Sequence, residues 1–484
     1  MNSRWAIFRM ILALLIVVLV VVSLLLGFVF DLKGIIISAY GLVVIPRTLF
    51  QIWFSVWNNR RNEQLSRREI ISQLLMLGYE VPNYGMELNF PEWRQMLFEL
   101  NPGLDGDWDS VVRQSMPREH TIGVEVPAYG LSAEELKDTV VSILNQSVPV
   151  KLVAVGLNQP GNVELIAAAH KMQQEINDPR LLIYEMPTVG KRGAMHQGFA
   201  LIEQAGCDIT VNVDGDTVLD RDALYTAIML IDADIGVQAV TSNVQVRNRS
   251  INLLTELTFQ RYRYANQQER GAQSLFNGVT CMSGPLMVMK TSNVQMIAPE
   301  WSVETFLGVP IGPGDDRSLT MHHLRRGWGV GYSPASIVWT DCPSQMPAWK
   351  RQQLRWSRSG MREFVRSWSW MYRMPTWSVF DQFYLMIFPF ILGGIIGAIT
   401  AEFVRNWISF NISVAYTNVI DYVLIVVVVN LINGLIATLR NADLKFILSS
   451  GYVLMHLRYL LWIKLHAMFT LPESAWLTRG TDRK

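Results

Sequence analysis

The chain of 484 residues is 50% hydrophobic and close to neutral, with a net charge of +1. Its apolar residues crowd the two ends around a mixed, charged stretch of globular composition, which excludes an ordinary soluble protein. Near-neutral charge gives no footing for a nucleic-acid partner. The three cysteines, Cys207, Cys281 and Cys342, exclude a disulfide framework.

In chain order, the run from Met10 to Phe30 is almost wholly apolar and meets the roughly 20-residue length of a membrane-crossing helix. It is too long for the apolar part of a signal peptide, and no small-residue cleavage site follows. Gly34 to Trp57 forms a second, weaker run, interrupted by Pro46 and Arg47. The basic cluster Arg60, Arg61, Arg67 and Arg68 behind it puts this end in the cytoplasm. Residues 1–57 are thus two membrane helices. Residues 58–120 are a polar cytosolic pre-domain with helical patterns at Ile70–Leu77 and Trp93–Leu100.

From Thr121 short β-runs alternate with helical stretches. Ile122–Val126 precedes Glu134–Leu144, Leu152–Val155 precedes Val163–Ile176, Leu181–Tyr184 precedes Ala194–Ala205, and Ile209–Val213 precedes Asp222–Ile231. This alternation predicts a mainly parallel sheet over 121–343, covered on both faces, with ligands at the carboxyl ends of its strands. Residues 344–375 are basic and Trp-rich, as suits amphipathic helices at a membrane interface. Apolar runs follow at Val379–Ile399 and Val419–Ile436. A third, Phe446–Leu471, carries His456, Arg458, Lys464 and His466, and is either an interfacial or hairpin segment or a helix lining a pathway. Together 376–471 form a carboxy-terminal membrane bundle, and 472–484 a tail.

Three motifs carry chemistry. Ile209-Thr-Val-Asn-Val-Asp-Gly-Asp-Thr217 is an apolar strand ending in Asp-x-Asp, and a strand period of two puts Asp214 and Asp216 on one side. Two such carboxylates can hold Mg²⁺ or Mn²⁺ against a diphosphate, although Asp-Gly is also turn chemistry. Gly314-Asp-Asp-Arg-Ser-Leu-Thr320 follows a Gly/Pro-rich loop. Asp316 there is either a helix cap or a general base beside an acceptor hydroxyl. In Gln352-Gln-Leu-Arg-Trp356, helical spacing gathers Gln352, Arg355 and Trp356 on one face, suited to a diphosphate and a sugar or base, or to a snorkelling interfacial helix.

In this order and spacing the motifs resemble the family-2 inverting glycosyltransferases. The resemblance is to the processive membrane synthases of hyaluronan, cellulose and chitin, above all bacterial hyaluronan synthases and the pneumococcal type 3 capsule synthase. It runs from about Thr121 to Arg479 and includes Val246-Arg-Asn-Arg249, Asn252-Leu-Leu-Thr255, Cys281-Met-Ser-Gly-Pro285, Thr305-Phe-Leu-Gly-Val-Pro310 and Trp476-Leu-Thr-Arg479. The resemblance implies a GT-A-like α/β domain, binding a nucleotide-diphospho-sugar, inserted between transmembrane and interfacial helices. It implies that Asp214 and Asp216 hold the sugar diphosphate and its Mg²⁺ or Mn²⁺. Asp316 is then the general base, with Asp315 beside it, while Gln352, Arg355 and Trp356 close over nucleotide and acceptor. Lys191 and Arg192 of Gly190-Lys-Arg192 hold the nucleotide side. Cys281, Ser283, Gly284 and Pro285 shape the acceptor pocket, and Trp476 and Arg479 match a carboxy-terminal Trp-Gly-Thr-Arg motif, with Leu477 in place of the glycine.

Two stretches depart from the family pattern. Val153-Ala-Val-Gly-Leu-Asn158 lacks the acidic residue that holds the nucleoside in relatives, and Val126-Pro-Ala-Tyr-Gly130 lacks the usual Asn or acid after its aromatic. The function implied is a processive, inverting polymerase of an extracellular polysaccharide. It is multi-pass in the cell membrane, with a cytoplasmic catalytic domain, and its partners are UDP-sugar donors, the growing polymer and the bilayer. Hyaluronan from UDP-glucuronate and UDP-N-acetylglucosamine leads. A glucuronate/glucose capsule polymer, mannuronan, and an inactive regulatory subunit are the alternatives.

Overall fold

A computed structural model of the chain describes residues 45–81, 89–158, 162–186, 190–410 and 455–473, with scattered positions between 413 and 445. Met10–Phe30, most of Val419–Ile436, and the tail bearing Trp476 and Arg479 lie outside the described residues, as do the side chains of 388–402. Among the described residues no helix is long and apolar enough to cross a membrane.

The predicted strands appear as β1 (Ile122–Ala128), β2 (Val150–Asn158), β3 (Leu181–Met186) and β4 (Ile209–Asn212). They are followed by β5 (Val218–Leu219), β6 (Val237–Val246), β7 (Met287–Lys290), a small hairpin of β8 (Thr305–Phe306) and β9 (Val309–Pro310), and β10 (Gly329–Thr340). Every residue of β1 is buried, as a central strand covered on both faces requires. The main sheet runs β3-β2-β1-β4-β7-β6-β10-β5.

The sheet is mixed rather than mainly parallel throughout. β1 to β4 run in one direction, whereas β7 opposes both β4 and β6, and β5 opposes β10. The reason lies between β6 and β7. There the chain passes through helices Leu253–Tyr264 and Gly271–Ser274 and re-enters the sheet from the end at which it left. The helices bring the chain to the far end, where Gly278 bridges Val330, and residues 279–286 return it to the motif end before β7 begins, so the pairing is antiparallel.

The helices of residues 58–120 pack into the core beneath the sheet. Helix Ile45–Met76 runs unbroken through the basic cluster. Helix Phe90–Leu100 starts at Asn89, whose side chain accepts from Glu92 N at 3.0 Å while Glu92 caps it in return. A third helix, Leu104–Ser115, was hidden because Asp-Gly-Asp reads as a turn. These helices bury Ile70, Leu74, Trp93, Leu97 and Trp108 in the same core as Val124, Val211 and Leu224. Polar contacts fix the docking. Trp108 Nε1 donates to Asp222 Oδ1 at 2.9 Å, Arg94 pairs with Asp220 at 3.2 Å, and Arg221 reaches Asp105 at 2.6 Å.

At the opposite end of the sheet from the motifs, His120 lies between Asp208 Oδ2 (2.6 Å) and Asp232 Oδ1 (3.0 Å). The Asp232 hydrogen bond, with Asp208 adding to it against the effect of burial, raises the imidazole above its ordinary value. A raised folded value means stabilisation that is complete below the unfolded pKa of about 6.5 and is lost as pH rises through the folded value. In His120→Gln the drop in Tm between about pH 6 and about pH 9 is therefore expected to shrink relative to wild type. An unchanged drop would remove His120 from the pH dependence.

Candidate active site

The first motif is a turn, not a strand. β4 stops at Asn212, and Thr217 N donates to Asp214 O at 3.0 Å, closing a tight turn over Asp214-Gly-Asp216. The turn, rather than a strand period of two, brings the two carboxylates to the carboxyl end of β4, and both are half-buried. Gly284 faces Asp214 so closely that a Cβ there would come within 2.7 Å of Oδ2. Asn212 Nδ2 donates to Gly284 O at 3.2 Å, holding the Ser283-Gly-Pro285 turn on β4. Ser283 N in turn donates to Thr241 Oγ1 of β6 at 2.8 Å.

Helix Lys191–Gln204 begins immediately after Gly190, and its first side chain, Lys191, is ion-paired with Asp214. Burial would depress the ammonium, but Asp214, Asp315 and Asp316 together raise it above the ordinary lysine value. One cation thus gathers the carboxylates of two motifs that lie far apart in sequence.

Helix Asp315–Arg325 is capped by Gly314 in the left-handed region, φ 101°, without a side-chain cap. Asp316 thus lies inside the first turn and is not the cap. Its Oδ1 accepts from Arg317 N at 2.8 Å, and Cys281 Sγ approaches Oδ2 at 3.9 Å. Burial raises the Cys281 thiol, so it is a neutral neighbour of the carboxylate. Asp315 is buried beneath. Its burial pushes its carboxyl up against the opposing pull of Arg192 and Lys191.

Arg192 is not placed to hold a nucleotide. It turns into the core, where Nε donates to Asp315 Oδ1 at 3.1 Å, Nη1 donates to Trp301 O at 2.6 Å, and the guanidinium stacks 4.7 Å from the Trp301 ring. Sequence alone could not separate the two neighbours, because a helix start sends consecutive side chains in different directions.

Gln352, Arg355 and Trp356 share helix Met346–Ser367. Trp356 lies 6.0 Å from the Tyr262 ring, and the amide oxygen of Gln352 is buried without a hydrogen-bond partner. One face of the helix packs against protein. Arg358 and Arg362, expected at a membrane interface, are buried, with Arg358 Nε donating to Thr470 Oγ1 at 3.0 Å and Arg362 Nη2 to Pro313 O at 2.7 Å. Arg362 therefore ties this helix to the loop that delivers Asp315 and Asp316. Of the cations in the third apolar run, Lys464 donates to Leu385 O at 3.4 Å, and Arg458 is exposed, 5.2 Å from the Tyr459 ring.

The donor set at Asp214 and Asp216 is two hard oxygen ligands, which suits Mg²⁺ or Mn²⁺. Among the described residues no group of three or more His, Cys, Asp or Glu is placed to hold an ion. Substrate oxygens would complete the shell around such an ion.

A mixed α/β sheet with acidic turns at its carboxyl end, a half-buried lysine among them and an amide-guanidinium-indole helix alongside is the framework of a GT-A-like, nucleotide-sugar-dependent transferase. Residues 117–359 match the model of the glycosyltransferase-like family 2. The chain belongs to that family and is a glycosyltransferase. It is 30% identical to an N-acetylglucosaminyltransferase of Mesorhizobium japonicum over 75% of this chain and 82% of that protein. It is 28% identical to the hyaluronan synthase of Streptococcus pyogenes over 75% of this chain and 84% of that protein. It is also 30% identical to hyaluronan synthase 3 of Xenopus laevis, over 60% of this chain and 50% of that one.

Proposed function

We propose that the chain polymerises hyaluronan from UDP-glucuronate and UDP-N-acetylglucosamine at the cytosolic face of the cell membrane and passes the product through its own helices. The observation that carries the chemistry is the ion pair of Lys191 with Asp214 of the donor turn, within electrostatic reach of Asp315 and Asp316 on the acceptor helix. Asp316 takes the proton of the acceptor hydroxyl. The resulting oxygen attacks the anomeric carbon in line, the bond to the β-phosphate oxygen breaks with inversion, and the electron pair leaves on UDP. Lys191 and Arg355 meet the negative charge that develops there. Asp214 and Asp216 would hold a divalent cation, which supplies further charge neutralisation at the diphosphate when bound. Gln352's unpartnered amide oxygen is an acceptor suited to a sugar or nucleoside hydroxyl.

Likeness to a hyaluronan synthase over most of both chains supports the donor pair. The apolar run Met10–Phe30 and the basic cluster behind Trp57 support the membrane placement.

Purified protein given UDP-glucuronate and UDP-N-acetylglucosamine, singly and paired, is expected to make polymer only with the pair, and a hyaluronan-specific lyase is expected to degrade it. Polymer from UDP-N-acetylglucosamine alone, from UDP-glucuronate with UDP-glucose, or from GDP-mannuronate would each replace hyaluronan as the product. No nucleotide release from any donor would leave the inactive regulatory subunit. In sealed vesicles with the active site outward, polymer is expected in the lumen, protected from added lyase. Polymer found only outside would assign export to another protein. Excess chelator is expected to lower transfer at least about tenfold, reversibly with Mn²⁺. Full activity in chelator would remove the metal.

A further inference from the structure

Glu304 lies between helix Thr291–Ser302 and β8, outside the three chemical motifs, and its carboxylate is buried. Four groups converge on it. His322 Nε2 is 2.6 Å and Arg366 Nη2 2.5 Å from Oε1, while Ser318 Oγ is 2.5 Å and Arg192 Nη1 2.8 Å from Oε2.

Each partner stands on a helix that also carries an active-site group. Arg192 follows Lys191, Ser318 and His322 share the helix of Asp315 and Asp316, and Arg366 shares the helix of Gln352, Arg355 and Trp356. Arg192 extends the chain of bonds through its Nε to Asp315. Arg366 also reaches Glu363 Oε1 at 2.8 Å. Filling this space needs no charge at all, since apolar residues of similar volume serve as well in most cores. An ionic hub bonded at both carboxylate oxygens adds a fixed geometry that apolar packing leaves free to slide.

We propose that Glu304 is a positioning residue, setting Lys191 against Asp315 and Asp316 and locking both to the Gln352–Trp356 helix, so that donor-side and acceptor-side groups hold one spacing. The proposal rests on the assignment of Asp316 as base. A displacement near 1 Å at the reacting groups is enough to cost a large factor in rate while ground-state binding survives.

The test uses the detergent-purified full chain with UDP-glucuronate and UDP-N-acetylglucosamine, reading UDP release per folded enzyme together with Tm. Glu304→Gln keeps the shape but takes one of two carboxylates from buried Arg192 and from half-buried Arg366, leaving them Asp315 and Glu363, so its Tm falls. The paired variant Glu304→Gln/Arg366→Gln removes one of those guanidiniums and is expected to recover Tm. In both, kcat is expected to stay at least about tenfold below wild type with donor KM nearly unchanged. Glu304→Asp, which keeps the charge, is expected to fall in between. If kcat returns with Tm in the paired variant, Glu304 is structural and the proposal is overturned. Asp316→Asn is measured alongside. If it keeps wild-type turnover, the base assignment fails. If it is inactive while the Glu304 variants turn over normally, the positioning role alone fails.

Discussion

Asp316→Asn is expected to lower sugar transfer by at least about 10²-fold, the usual scale for losing a general base. Asparagine keeps the size of the side chain and the oxygen that accepts from Arg317 N, but it cannot take a proton. Stability is expected to change little, because Gly314 caps the helix and Asp316 does not. Only the charge at the positive helix end is lost, worth about 0.3–1 kcal/mol. Donor affinity is expected to hold, since Lys191 and Asp214 are untouched. UDP release at saturating donor, set beside the Tm, is the measurement. Turnover above about a tenth of wild type would move the base to Asp315. Asp315→Asn should behave differently, because Asp315 is buried and paired with Arg192. Its loss weakens the partner of a buried guanidinium and lowers Tm as well as rate.

What the sequence made legible follows from what is local. The four β-runs from Ile122 to Val213 and the helices behind them came from apolar runs and periodicity, and the structure places them within a few residues. The direction of β7 was not legible, because it depends on where the chain goes between β6 and β7, and no local pattern encodes that. The docking of Trp108 on Asp222 was hidden for a related reason: a polar segment with a few well-spaced large apolar residues reads as a free-standing unit until its partner surface is known. At the site, the carboxylates and the Gln-Arg-Trp helix stand out by residue type, whereas Lys191 is singled out only by the family resemblance. Arg192, Arg358 and Arg362 misled, because an arginine looks the same in sequence whether it faces phosphate, lipid headgroups or a buried carbonyl. Glu304 carried no signal, since its importance lies in four partners from other elements.

Gly198→Ala is expected to destabilise the protein by about 3 kcal/mol, at the top of the range for overpacking a core. Gly198 is on the helix that Lys191 begins, and it faces Glu125 in the middle of β1. A Cβ at Gly198 would overlap the Glu125 carboxyl group and come within 2.9 Å of its Cγ. Glu125 is fully buried and has nowhere to retreat. Tyr184 Oη lies 2.9 Å from each carboxyl oxygen, and Gly156 makes room on the other side, where a Cβ would stand 2.5 Å from that hydroxyl. Burial raises the Glu125 carboxyl well above its ordinary value, against the opposing effects of Tyr184 and Lys191. Its ionisation therefore opposes the folded state as pH rises. Two glycines and a tyrosine thus form a mould for one buried acid, and a methyl group must either displace that acid or push the helix off the sheet. Displacing the helix moves Lys191 away from Asp214, so the variant should lose transfer as well as Tm. The decisive comparison is a double-mutant cycle with Glu125→Ala, which empties the space the methyl group needs. Gly198→Ala/Glu125→Ala is expected to be more stable than Gly198→Ala alone, even though Glu125→Ala by itself leaves a cavity and lowers Tm. If the two losses simply add, the contact between Gly198 and Glu125 does not hold the helix in place.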